Sequence, residues 1–129
     1  MFAVLAEAFE EDPGTLGDVY VDGLLSREDL WLIAAWDDGA VAGGLTAHIL
    51  PMTRSESSEV FLYDIGVRPT SQRRGIGRAL VERLRRDAAT AGLADVFVPA
   101  ENVDVHALDF YRALGGEACA VTHFTFEGP

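Results

Sequence analysis

Apolar residues recur along this chain with two different periods. Phe2, Leu5 and Phe9, then Leu16, Tyr20 and Leu24, fall three and four apart and predict two short helices joined through Asp12, Pro13 and Gly14. LWLIAAW and VAGGLTAHIL read as strands on either side of Asp38-Gly39, a dipeptide suited to a tight hairpin turn. The polar stretch PMTRSESSE leads into a further strand, VFLYDIGV. Beyond it Ile76, Leu80, Leu84 and Ala88 repeat every four residues, with Arg78, Glu82, Arg85 and Arg86 on the other faces, which predicts an amphipathic helix closed by Gly92. A strand DVFVPA follows, then a helix from about Val105 to Leu114 with Asp104 as N-cap and Gly115 past its end, and a last strand near Ala118 to Phe126. The order is α/β. With 129 residues, 49% of them hydrophobic, the chain supports one domain, residues 1–129, without repeat, linker or low-complexity tract.

Between VFLYDIGV and the amphipathic helix stands QRRGIG, and that junction carries chemistry. Gly75 and Gly77 lack Cβ, so a bulky anion can come close to the main chain. The first turn of the following helix has N–H groups with no partner inside it, at the positive end of the helix dipole. Arg73, Arg74 and Arg78 add guanidinium groups that suit phosphate oxygens. Gly beside Arg could equally form a tight turn with solvated charges; the strand before and the helix after favour a pyrophosphate site. There is no GxxxxGK-S/T loop, and no GxGxxG with an acidic partner on a following strand, so neither ATP nor NAD is the expected ligand.

QRRGIG resembles the Q/R-x-x-G-x-G/A loop of the GNAT superfamily of acyl-CoA-dependent N-acetyltransferases. YDIGV, RRGIG, ALDFYRALG and THFTFE, in this order and spacing, resemble the aminoglycoside 3-N-acetyltransferases of the type I group, and the likeness runs from about Phe9 to the C-terminus. The resemblance implies a mixed, mostly antiparallel central sheet with splayed central strands and flanking helices. It implies acetyl-CoA as co-substrate, with Gln72, Arg73, Arg74, Gly75, Ile76, Gly77 and Arg78 at the pyrophosphate. Main-chain groups of Ile65, Gly66 and Val67 would hold the pantetheine arm in the gap between splayed strands. Pro99, which has no N–H for a ladder, is tolerable where those strands diverge. Members of the superfamily usually start with a strand before the first helix. Here Met1 falls at or inside that helix, which leaves the first strand absent, truncated or supplied otherwise, and an exposed edge near Leu30 to Trp36 that could favour a homodimer.

Composition narrows the partners. The net charge of −11 opposes nucleic-acid binding and attracts polycations, while the basic residues gather between Arg68 and Arg86. No run of about twenty apolar residues suggests a membrane span, and the acid-bearing start is unlike a signal peptide, so a cytoplasmic protein is expected. The lone Cys119 can form no internal disulfide, and no metal site is expected.

Acetylation of an amine requires a group that accepts its proton, donors facing the developing oxyanion and an acid for the departing thiolate. Tyr111, in DFYRALG, matches the family tyrosine that reaches the coenzyme sulfur and is the candidate acid; as a residue on an apolar helix face it is also a candidate core aromatic. Asp64 lies mid-strand, where an unpaired carboxylate is costly unless it faces a cleft or a cation. Strict alternation puts Tyr63 and Asp64 on opposite faces; a bulge near Gly66 would re-aim one of them. Tyr63, Asp64, Glu101 and Asp104 are candidates for substrate binding, with Asp64 and Glu101 also for proton removal and Asp104 equally for capping. His123, in THFTFE, matches a histidine of the type I group and is a further candidate base or a packing residue. His48 and His106 have weaker claims. His106 and Val105 depart from a proline and an acid in that group, which puts the antibiotic range in doubt. The leading expectation is acetylation of an aminoglycoside, at N3 of the deoxystreptamine ring. The alternatives are a polyamine, metabolite or protein N-terminal acceptor, or a non-catalytic acyl-CoA sensor.

Overall fold

A computed structural model describes all residues except Pro13, Thr15 and Ala94. Pro13, placed in the joint between the first two helices, therefore lies outside the described residues. Two compact units are present, Met1–Pro99 and Ala100–Pro129.

The first unit contains α1 (Phe2–Ala8), α2 (Asp18–Leu25), β1 (Leu30–Asp37), β2 (Ala40–Pro51), β3 (Ser58–Val67), α3 (Ile76–Thr90) and β4 (Val96–Phe97). The strands form one mixed sheet in the order β1-β2-β3-β4, antiparallel except for the parallel pair β3–β4. Asp38 and Gly39 turn the first hairpin with φ of 52° and 77°, the left-handed pair that suits a two-residue turn.

Residues 42–47 of β2 are buried at consecutive positions, so both faces of the sheet are covered there. One cover is α1: a Cβ added to Gly66 would stand 2.6 Å from the Ala8 Cβ, so helix and strand approach as closely as they do only because Gly66 has none. The other cover is α3, which buries Leu80, Val81, Leu84 and Ala88. Leu45, Ala47, Val60, Leu62, Leu84 and Val4 make the tightest part of the core. The second helix forms over Tyr20 and Leu24 as expected, starting at Asp18 after Leu16; it buries no residue, and its Leu24 and Leu25 border a cavity of about 580 Å³ beside β1 and α3. One expectation needs correction. The strand DVFVPA shrinks to Val96–Phe97, since ladder pairing with β3 exists only at Val60–Val96 and Phe61–Phe97.

The second unit is built on α4 (Val105–Ala113). Asp104 Oδ1 accepts from the Ala107 N–H at 3.1 Å and caps it, and Gly115 takes φ 91° beyond its end. The strand expected near Ala118 to Phe126 does not form. A strand needs a neighbour for its backbone groups; these residues enter no ladder among the described residues, and Val121, Phe124 and Phe126 stand in solvent.

Candidate active site

In the first unit the candidate coenzyme site is made by the end of β3 and the start of α3. From Leu62 onward β3 loses β4 as a neighbour while keeping β2, so one edge of Leu62–Val67 faces no strand among the described residues. Alternation decides which groups point there. The Arg68 N–H donates to Ala42 O at 2.8 Å, and Gly66 O lies 2.7 Å from where a Gly43 Cβ would be, so Arg68 and Gly66 turn toward β2. Ile65 and Val67 turn toward the open edge. Gly66 pairs with Gly44 in the β2 ladder, and its missing Cβ makes room for α1. The Val67 carbonyl is engaged as well, accepting from Gln72 Nε2 at 3.2 Å, which ties the loop back to the strand.

A short 3-10 turn, Pro69–Ser71, carries the chain to Arg73 with φ 63° and Gly75 with φ 79°. Open space surrounds the missing Cβ of Gly75, so the backbone angle is what requires glycine there. Gly75 is also the N-cap of α3, and no side chain caps that end. The N–H groups of Ile76, Gly77 and Arg78 belong to the first turn, where an anion is favoured. The three arginines differ. Arg74 holds Asp37 through both carboxylate oxygens, and Arg78 pairs with Glu82 at 2.8 Å, whereas Arg73 has no ion-pair partner among the described residues. Arg73 is therefore the charge most available to an incoming phosphate.

The acceptor candidates in this unit sit on the α1 side of the sheet. Thr46 opposes Asp64 but Ala47 opposes Leu62, so Tyr63 is an extra residue in β3. The bulge lies three residues before Gly66 and reverses the alternation: Asp64 shares a face with Phe61 and His48, and Tyr63 also leans there, meeting His48 edge-on at 5.3 Å. Burial pushes the Asp64 carboxyl above the usual carboxylate range; the Glu11 carboxylate adds to this and His48 opposes it. Sequence reasoning missed Glu11, since nothing local ties it to Asp64.

In the second unit, Tyr111 is half-buried on α4 with Phe110 beside it, the rings 5.1 Å apart. Burial raises its phenol above the usual range, with Asp104 adding to the effect, so the hydroxyl keeps its proton at neutral pH. The Asp104 side chain is committed to the α4 cap. Glu101 is exposed, and its carbonyl accepts from the Asp104 N–H at 3.0 Å. His123 is exposed in the extended tail and His106 is exposed on α4.

An uncapped helix N-terminus behind a left-handed glycine, Arg73 without an ion-pair partner among the described residues and an open strand edge leading to it fit a pyrophosphate with an extended arm. Residues 2–115 match the Acetyltransferase (GNAT) family. The chain belongs to the GNAT acetyltransferase family. Its four-stranded mixed sheet with flanking helices is the GNAT fold. Among solved structures, the aminoglycoside acetyltransferase meta-AAC0020 from an uncultured soil metagenomic sample, in complex with sisomicin, is 29% identical, with TM-score 0.91 over 98% of this chain and 84% of that one. The aminoglycoside acetyltransferase HMB0005, also from an uncultured soil metagenomic sample, is 30% identical, with TM-score 0.91 over 99% and 88%. The aminoglycoside N-acetyltransferase AAC(6')-Iy, in complex with CoA, is 23% identical with TM-score 0.78 over 96% and 84%, a likeness of fold. No curated protein matches the chain. Among the described residues of this GNAT chain no cluster could hold a metal, and no helix is long and apolar enough to cross a membrane.

Proposed function

We propose that this GNAT chain acts as a single domain over residues 1–129 and moves the acetyl group of acetyl-CoA to the 3-amino group of an aminoglycoside's deoxystreptamine ring, giving resistance in the cytoplasm where the drug meets the ribosome. The observation that carries the acceptor is the 29–30% identity to aminoglycoside acetyltransferases, one of them in complex with sisomicin.

Arg73 and the first-turn N–H groups of Ile76, Gly77 and Arg78 would take the pyrophosphate, with Gln72 and Gly75 shaping the loop and Arg74 held against Asp37 behind it. Ile65 and the Val67 N–H offer open-edge main-chain groups to the pantetheine arm, the Val67 carbonyl already accepting from Gln72. The thioester supplies an acyl carbon that a neutral amine attacks; the new C–N bond forms as the C–S bond breaks. Asp64 binds the ammonium and takes its proton, aided by a carboxyl less acidic than usual. Tyr111 gives its proton to the departing thiolate. Tyr63, Glu101 and Asp104 are assigned to acceptor binding, and His123 to the role of a second base. β1 has no neighbour beyond β2 among the described residues, and two copies would pair there as a dimer; a monomeric mass by light scattering removes that part.

The test is NMR of the product formed from gentamicin and acetyl-CoA. An acetyl group on the 3-amino nitrogen is expected. Acetylation at another nitrogen contradicts the regiochemistry, and no product with binding of acetyl-CoA intact contradicts the aminoglycoside reading.

A further inference from the structure

The face that carries Asp64 continues away from α1 as a chain of rings. Phe61 stacks on Phe97 with centroids 5.0 Å apart and planes 6° from parallel. Tyr63 meets Phe61 edge-on at 5.5 Å, and His48 meets Tyr63 edge-on at 5.3 Å. Cross-strand pairing sets the borders of this surface. His48 opposes Phe61 and Leu50 opposes Glu59, so Glu59 and Leu50 close one end as Asp64 and Thr46 close the other. The two carboxylates lie about 15 Å apart along β3, room for more than one six-membered ring.

Large rings are normally what a sheet face covers first, yet Leu50, Tyr63 and Phe97 remain exposed. β2, β3 and β4 contain no Lys or Arg, so His48, which partly offsets Asp64, is the basic side chain that these strands set against the carboxylates. Each feature is a poor choice for packing and a good one for a particular partner. An aminocyclitol or amino sugar has a C–H face that lies on aromatic carbon and ammonium groups on its rim that seek carboxylates and ring faces.

We propose that Phe61, Phe97, Tyr63 and His48 form a platform for a polyaminated sugar ring, whose amines are held by Glu59 at one end and Asp64 at the other. The proposal rests on the aminoglycoside reading above and adds Phe61, Phe97, His48 and Glu59 to the acceptor site. A flexible polyamine satisfies the carboxylates but brings no ring to the platform, so the platform selects cyclic amines over linear ones.

The test uses the whole chain with sisomicin as probe, measuring KM for sisomicin and for acetyl-CoA together with calorimetric binding of sisomicin. Phe97→Ala should raise the sisomicin KM and Kd about tenfold and leave the acetyl-CoA KM within about twofold, while Phe97→Trp keeps both near the starting values. Phe97→Leu retains apolar bulk without the ring; it should resemble Phe97→Ala, and it serves if that variant does not fold. Unchanged sisomicin constants in Phe97→Ala and Phe97→Leu, with the parent protein active, overturn the platform alone. A parent protein that neither binds nor acetylates sisomicin overturns the platform together with the aminoglycoside reading.

Discussion

Tyr63 and Asp64 emerge on the same face of the sheet, although they are neighbours in a strand. The cause is the extra residue in β3 between the Leu62–Ala47 and Asp64–Thr46 pairs. A regular ladder would turn the Asp64 carboxylate toward α3 and its buried Leu80 and Leu84, where it would be left without a partner. The bulge instead sets it beside His48 and within the field of Glu11.

That placement predicts a pH dependence. Burial first and Glu11 second raise the Asp64 carboxyl, and a proton acceptor must be ionised, so kcat/KM should rise with pH through the raised value. Glu11→Gln removes one cause and should move this acidic limb to lower pH. An unmoved limb in the pH–rate profile would show that another group accepts the proton.

Asp64→Asn should lower turnover by about 100-fold or more. It should also make the protein more stable. The carboxyl binds its proton more tightly folded than unfolded, so its contribution to stability falls as pH rises from the ordinary carboxylate value through the raised one. Removing the charge lifts that penalty above the window and not below it. Thermal unfolding at neutral pH should show a Tm higher by about 3 °C, and the gain should vanish in acid.

Tyr111→Phe keeps the apolar contacts of α4 and removes only the hydroxyl. Turnover should fall about 100-fold while acetyl-CoA affinity, read by calorimetry, changes little. An unchanged rate discards Tyr111 as the acid.

Gly75→Ala tests the loop without altering charge. A left-handed φ of 79° costs a residue with Cβ about 1–2 kcal/mol, and here there is room for the methyl group itself. Acetyl-CoA should bind about tenfold more weakly with the fold retained. Gly75→Glu adds a negative charge beside the phosphates and should abolish binding, as calorimetry would show.

Asp104 separates capping from acceptor binding. Asp104→Ala should destabilise α4 by about 1 kcal/mol, whereas Asp104→Ser keeps a cap and removes the charge. If Asp104→Ser restores stability but not the KM for the amine, the carboxylate also meets substrate; restoration of both assigns it to the cap alone.

Local signals carried much of this architecture into the sequence. Asp38-Gly39, Asp104 with Gly115, and the fourfold repeat from Ile76 to Ala88 each act through their own neighbours, and the structure shows the turn, the cap and the helix at those residues. What depends on distant partners was not legible. The bulge at Tyr63 is a mismatch between two strands, the short β4 reflects where the β3 ladder stops, and the unpaired tail at 118–126 has strand alternation without a neighbour. The pairing of Arg74 with Asp37 likewise joins residues 37 positions apart, and among the described residues Arg73 has no such partner.

The most direct test is the initial rate of free-thiol release from acetyl-CoA by the purified protein, with gentamicin, kanamycin, spermidine and a peptide amine offered in parallel. Release with gentamicin at least about tenfold faster than with spermidine or the peptide is the predicted result. Equal rates with every amine, or no release above the hydrolysis background despite acetyl-CoA binding, would contradict it.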